Sequence, residues 1–550
     1  MMGNYIAIGD NTASNPSGNK FNKDWVWRIA GDYALVLALL MLAVAVRVYQ
    51  FGFIPGGFNQ DEAMSAYDGY LIARYGMDRS GARLPVHFYA WGYGQQSAFM
   101  IYAMVPFIWA MGLSVVSTRL PILIFSLLGL FAMYWFTEDA FKDKRLSIAV
   151  LAVGAINPWH IMQSRWALDC NMFPHLMMIG CWFLYKGLVA VKAKRSMFSP
   201  WLAASMIFFA FCLYSYGIAL YTMPVFLFIM TVYLLVLDWK LYWKPLVLSF
   251  IVFLVFAWPM MAMVIVNYFE LPSFSVLGIT IPSFHTHRMN ELLFFHPAPR
   301  QQLVHNARAL SRILLQQDDF PWNVISGHGT LFVWSIPFTS LGLFSAFKIR
   351  NNMGKIILLF WLAMAVFAGL VVGGVNVNRG NIIFYPLIVL TGIGMYEAVM
   401  IARKLRTKLV VLVLLVVISA SSFTVFARSY FGGHGAWLEH LFYGDFFRSV
   451  EYAQAVGYDR LYVTTHTHRP DAHQITEVML LFGAQVNPTT FFDDSFRETY
   501  RIIQFYDMPD PPELGVRVLY LFHVHEAHLF PSEIFDITWV DRFGVARFRS

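Results

Sequence analysis

The sequence predicts a polytopic α-helical membrane protein with a small α/β domain at its C-terminal end. Three observations carry this. First, 58% of the 550 residues are hydrophobic and only 13% are charged, about half the charged share of a soluble domain; mean hydropathy is +0.54. Second, apolar runs of about 17–22 residues recur from Tyr33 to Val425, the length that crosses about 30 Å of hydrocarbon. Third, the composition turns soluble after Phe426 and stays so to Ser550.

The net charge of +7 does not point to nucleic acid, because Lys and Arg cluster in short loops between apolar runs. These are Lys142–Arg145, Lys192–Arg195, Lys240–Lys244, Lys348–Lys355 and Arg403–Lys408. The positive-inside bias assigns them to the cytoplasm. Residues 1–28 are polar and expected to be a disordered cytoplasmic tail. No cleavage site follows the first apolar run, so it reads as a retained anchor. A transmembrane domain is expected over 29–427 and an extracytoplasmic α/β domain over 428–550. Alternation of basic and Lys-poor loops from about residue 120 gives about eleven spans. Strict alternation leaves no room for Ala98–Leu113 to cross, so it is expected to lie in the interface, where Tyr102 and Trp109 suit the depth. Large outer loops are then residues 50–119 and 267–328.

The outer domain is expected to carry strands at Arg460–Thr465, Val516–Phe522, Ile534–Trp539 and Val545–Phe548, with a helix at Phe446–Ala455. Cys170, Cys181 and Cys212 lack metal spacing and read as small apolar packers. No P-loop, dinucleotide fingerprint or Gly-x-Ser-x-Gly elbow stands out, which speaks against an ATP-driven pump or a serine hydrolase.

The acidic pair Asp61–Glu62 opens a helix expected over Asp61–Tyr75, with apolar residues at 63, 64, 67, 70, 71 and 75. Asn59 and Glu62 have the spacing of a capping box, which gives Glu62 a structural role; Asp61 has no equally specific one. Asp78 is a secondary acidic candidate. In the next outer loop, Asn157-Pro158-Trp159-His160 is followed by Ser164-Arg165 and Asp169. Arg165 either holds a phosphate, with His160 near it, or pairs with Asp169 or lipid headgroups. Arg379, where an outward loop enters a span, either holds a lipid-linked phosphate or is an ordinary interfacial anchor. Residues 267–328 hold Arg288, Arg300 and several histidines, an outer-face excess of cationic donors suited to lipid headgroups or a substrate phosphate. Two His-x-His pairs, His466/His468 and His523/His525, follow expected strands. A metal is conceivable there, but the spacing matches no known zinc pattern and surface histidines are the better reading.

The sequence resembles the GT-C class of polyprenyl-phosphate-sugar-dependent glycosyltransferases, in the branch of protein O-mannosyltransferases and lipid A aminoarabinose transferases. The residues are Asp61-Glu62-Ala63 with Tyr67 and Tyr70, Arg74-Tyr75-Gly76-Met77-Asp78, Leu84-Pro85-Val86, Trp91-Gly92, Tyr102, Thr118-Arg119-Leu120-Pro121 and Ser164-Arg165. Gly92–Ser97 departs from the His-Pro-Pro element of many relatives. The resemblance implies inverting transfer of a sugar from a polyprenyl-phosphate carrier to a glycan, lipid or protein acceptor outside the cytoplasmic membrane. Asp61 is then the general base on an acceptor hydroxyl, and Arg165, Arg379, His160, Arg288 and Arg300 are candidates for the lipid phosphate. No cofactor is required; a divalent metal is possible but unsupported. A lipid or glycan flippase and a non-catalytic scaffold are the rival readings. Few ionisable residues deep in the spans disfavour the flippase.

Overall fold

The computed structural model describes residues 23–90, 95–284, 292–348, 352–466, 472–493 and 495–549. Helices dominate up to residue 456. In chain order they are α1 (Lys23–Val48), α2 (Gln60–Tyr75), α3 (Ala98–Met111), α4 (Val115–Phe141), α5 (Lys144–Ile156), α6 (Pro158–Gln163) and α7 (Met172–Lys194). There follow α8 (Pro200–Ser215), α9 (Ala219–Tyr268), α10 (Pro299–Ser311), α11 (Ile336–Lys348), α12 (Met353–Val371), α13 (Val377–Gly380) and α14 (Phe384–Ile401). The set continues with α15 (Leu405–Ser429), α16 (Gly435–Trp437), α17 (Gly444–Val456) and α18 (His473–Gly483).

Among the described residues, 6 helical segments are long and apolar enough to cross a membrane, and Tyr33–Val48, Ala98–Met111 and Pro200–Ser215 are shorter apolar helices. The longest segment, α9, is broken at Asp238, whose backbone is non-helical. Asp238 stands just before the basic stretch Lys240–Lys244 expected to be a cytoplasmic loop, so two apolar arms meet at a polar elbow. Helix α15 has almost no buried face, the pattern of a helix solvated by lipid. The expected interfacial segment is α3, which turns Met100, Ile101, Met104 and Ile108 inward and leaves Trp109 and Met111 exposed.

The C-terminal part is a five-stranded mixed sheet in the order β6-β5-β7-β9-β8. Its strands are β5 (Arg460–Thr464), β6 (Tyr500–Ile503), β7 (Val518–His523), β8 (Phe535–Val540) and β9 (Phe543–Phe548). Strands β6 and β7 flank β5 in parallel, whereas β9 and β8 add antiparallel. The four expected strands and the expected helix (now α17) are present. A fifth strand, Tyr500–Ile503, lies outside the expected set. Two hairpins complete the fold: β1 (His87–Tyr89) with β2 (Gln95–Ser97), and β3 (Phe274–Val276) with β4 (Ile279–Ile281).

The sheet domain docks on the first large loop. Phe58 stacks on Phe482 of α18 at 4.2 Å between ring centroids. Its backbone N–H donates to the Phe442 carbonyl at 2.6 Å, and the Tyr67 hydroxyl donates to the Val486 carbonyl at 3.0 Å. Periodicity predicted an amphipathic α2; instead α2 is buried continuously from Glu62 to Gly69. Its polar side is covered because α3 packs on one flank and α18 on the other.

Candidate active site

Helix α2 starts at Asn59, whose Oδ1 accepts the Asp61 N–H at 2.9 Å while Glu62 Oε2 accepts the Asn59 N–H at 3.2 Å. The expected capping box is therefore present. Glu62 does more. With both side chains 0% exposed, Arg119 Nε and Nη2 bind Glu62 Oε1 and Oε2, each at 2.8 Å. Arg119 also donates to the carbonyls of Pro55 and Gly57, and Glu62 Oε1 accepts the Ala167 N–H at 2.7 Å. Glu62 thus ties α2, α4 and the loop after α6 together, and no lone pair of it faces a substrate space.

Asp61, one residue earlier and about 100° around the helix, is only half-buried. Its backbone carbonyl accepts Ser65 Oγ–H at 2.8 Å and Gln96 Nε2–H at 3.2 Å, which pins the first turn against β2. The Asp61 charge acts on the Asp169 carboxyl. Asp169 opens a short 3-10 turn before α7 and accepts the Ser97 N–H at 3.2 Å and the Cys170 N–H at 2.7 Å. The carboxylates available to the site are thus Asp61, in the first turn of α2, and Asp169, in the turn before α7, while Glu62 is held by Arg119.

Asp169 lines a cavity of about 380 Å³ whose wall also contains His87, Ser97, Tyr221, Asn267 and Arg379. Arg379 sits on α13, where Asn376 Oδ1 caps the Arg379 N–H at 2.9 Å and the guanidinium donates to the Gly373 carbonyl. One cavity of mixed polar and apolar lining thus carries a carboxylate from the turn before α7 and a guanidinium from α13. A second, apolar cavity of about 740 Å³ shares α9 with it, Val255 and Pro259 lining this one and Met263 and Asn267 the other. It is lined by Val86, Ala103, Phe125, Phe211, Tyr214 and Trp258, among others.

The other candidates lie elsewhere. Arg165 is buried, and its guanidinium donates to the backbone carbonyls of Val46, Arg47, Tyr49, Gln50 and Ile54. It clamps the exit of α1 and pairs with neither Asp169 nor the cavity. His160 is fully buried between Arg47 and Tyr385, with its Nε2 3.0 Å from the Tyr385 hydroxyl. Asp78 caps a turn by accepting from Ser80 and Ala82. Arg300 is exposed at the start of α10, and Arg288 lies outside the described residues. The closeness of Asp169 to Arg165 in the sequence suggests an ion pair, whereas the fold places Asp169 on the cavity wall and Arg165 away from it.

No family model matches this sequence, and no curated protein does. Solved structures do. ArnT from Cupriavidus metallidurans, crystallised with undecaprenyl phosphate, superposes with a TM-score of 0.53 at 16% identity, covering 96% of this chain and 98% of that one. The oligosaccharyltransferase AglB from Archaeoglobus fulgidus, in complex with an inhibitory peptide and a dolichol-phosphate, gives a TM-score of 0.53 at 13% identity. That match covers 92% of this chain and 70% of AglB. The chain is a multi-pass membrane protein with the GT-C fold that these proteins share.

Proposed function

We propose that this chain is an inverting glycosyltransferase that moves a sugar from a polyprenyl-phosphate carrier to an acceptor hydroxyl on the extracytoplasmic face of the cytoplasmic membrane. The observation that carries the proposal is the placement of Asp169 and Arg379 on the wall of one cavity, with the Asp61 charge acting on Asp169, and of a larger apolar cavity further along α9. A lipid-phosphate donor needs such a division: apolar walls for the polyprenyl tail and a cation for the phosphate. Asp61 is the base that takes the acceptor proton as the hydroxyl attacks the anomeric carbon opposite the phosphate. Arg379 stabilises the departing lipid phosphate. Asp169, oriented by two backbone N–H donors, holds hydroxyls of sugar or acceptor in line. Residues 29–427 form the transferase domain; residues 428–550, packed on α2, form an outer domain that fixes the catalytic loop.

The extracytoplasmic orientation rests on the basic loops at the opposite ends of the helices. Transfer from a radiolabelled polyprenyl-phosphate sugar in membranes carrying the protein tests the reaction; no transfer to any acceptor fraction would refute it. In that assay Arg379→Ala is expected to raise KM for the lipid donor or lower turnover at least tenfold, about 1.4 kcal/mol of lost transition-state binding.

A further inference from the structure

In the outer domain three histidines converge at one end of the sheet. Strands β5 and β7 are parallel neighbours, with Val463 opposite Leu521. The chain continues past their carboxyl ends into His466 and into His523–His525. This is the end of a parallel strand pair where α/β folds gather ligands. His523 closes β7 and His525 lies in the 3-10 turn that follows. The two therefore do not project from one strand face; the turn folds one ring back towards the other. The ring centroids of His466 and His523 are 5.2 Å apart, those of His466 and His525 5.4 Å, and those of His523 and His525 4.8 Å. One ring nitrogen of each lies within 4.8 Å of the others.

From this geometry we infer that His466, His523 and His525 form a binding site for a borderline transition-metal cation such as Zn²⁺. Donors made only of imidazole nitrogen suit zinc, cobalt, nickel or copper and not magnesium or calcium. The supporting shell is present. Glu526 accepts the His523 backbone N–H at 2.9 Å and the Thr464 hydroxyl at 2.8 Å, while Thr464 Oγ1 accepts the His466 N–H at 2.9 Å. One carboxylate thereby fixes the backbone on both sides of the cluster, the role that outer-shell groups play around metal sites. The charge of Arg542, which would oppose a cation, is engaged by Asp445. A tetrahedral zinc with bonds of about 2.0–2.1 Å needs its donors roughly 3.4 Å apart. The cluster closes that gap by rotating the exposed His525 inward onto buried His523 and half-buried His466. The solvent side then supplies the fourth ligand.

The test uses the full chain in detergent, purified without a polyhistidine tag, stripped with a chelator and titrated with Co²⁺. We expect one equivalent with visible ligand-field absorption, displaced by Zn²⁺, and a melting temperature that rises with Zn²⁺. The exposed His525, changed to Ala or to Gln, and the double variant His466→Ala/His525→Ala should each lose affinity by roughly 100-fold or more. Glu526→Gln should lose about tenfold. The inference is overturned if the wild type binds no cobalt, or if the double variant binds it as tightly. Both readouts are independent of sugar transfer, so this site and the transferase proposal fail or stand separately.

Discussion

The contrast between Glu62 and Asp61 can be tested through stability. Glu62→Ala removes one half of a fully buried bidentate pair and leaves the Arg119 guanidinium in the core with only the Pro55 and Gly57 carbonyls. Breaking a buried pair in this way costs about 3–5 kcal/mol. That is roughly 10²- to 10³-fold or more in the folded-to-unfolded ratio and a large part of a typical 5–15 kcal/mol of stability. The Ala167 N–H, which donates to Glu62 at 2.7 Å, also loses its acceptor. Thermal unfolding of detergent-solubilised full chain, followed by size-exclusion fluorescence, should show Glu62→Ala melting far below wild type and accumulating poorly in membranes. Replacing both partners by apolar residues, Glu62→Leu with Arg119→Met, should recover part of the loss, since no uncompensated charge remains. Recovery stays partial because the two loop carbonyls lose their donor. If Glu62→Ala melts within a degree or two of wild type, the assignment of Glu62 as a structural tie is wrong.

Two further outcomes follow from the cavities and the topology. Ala103→Trp projects bulk into the apolar cavity and should raise KM for a long-chain polyprenyl donor well above its effect on a short-chain analogue; equal effects would remove the cavity as the tail site. The three native cysteines are buried, so engineered thiols report cleanly. Leu514→Cys, on a fully exposed residue, and Val115→Cys should react with an impermeant thiol reagent added outside intact cells. Lys142→Cys, also exposed at its side chain, should stay protected.

What the sequence revealed about the site was set by how local each interaction is. The capping box of Glu62 spans three residues and was readable. Its partner Arg119 stands 57 positions away, and nothing in the local pattern joins them. Arg165 looked like a phosphate ligand because it is a cation in an outer loop. Its five carbonyl acceptors come from the end of α1 and the turn after it, and only the tertiary fold places them there. Asp169 then becomes available to the cavity for the same reason. The amphipathic pattern expected for α2 described one flank correctly and missed that α18 covers the other. Strands β5, β7, β8 and β9 were legible from alternation, whereas the convergence of His466 on His523 depends on the parallel pairing of β5 with β7.

The central claim is that Asp61 is the base. The most direct measurement is transfer from a radiolabelled polyprenyl-phosphate sugar in membranes carrying Asp61→Asn at wild-type protein levels. Asn keeps the shape and the helix start but cannot take a proton. The account predicts normal accumulation and melting with turnover reduced by roughly 10²- to 10⁴-fold. Wild-type turnover in that variant would contradict it.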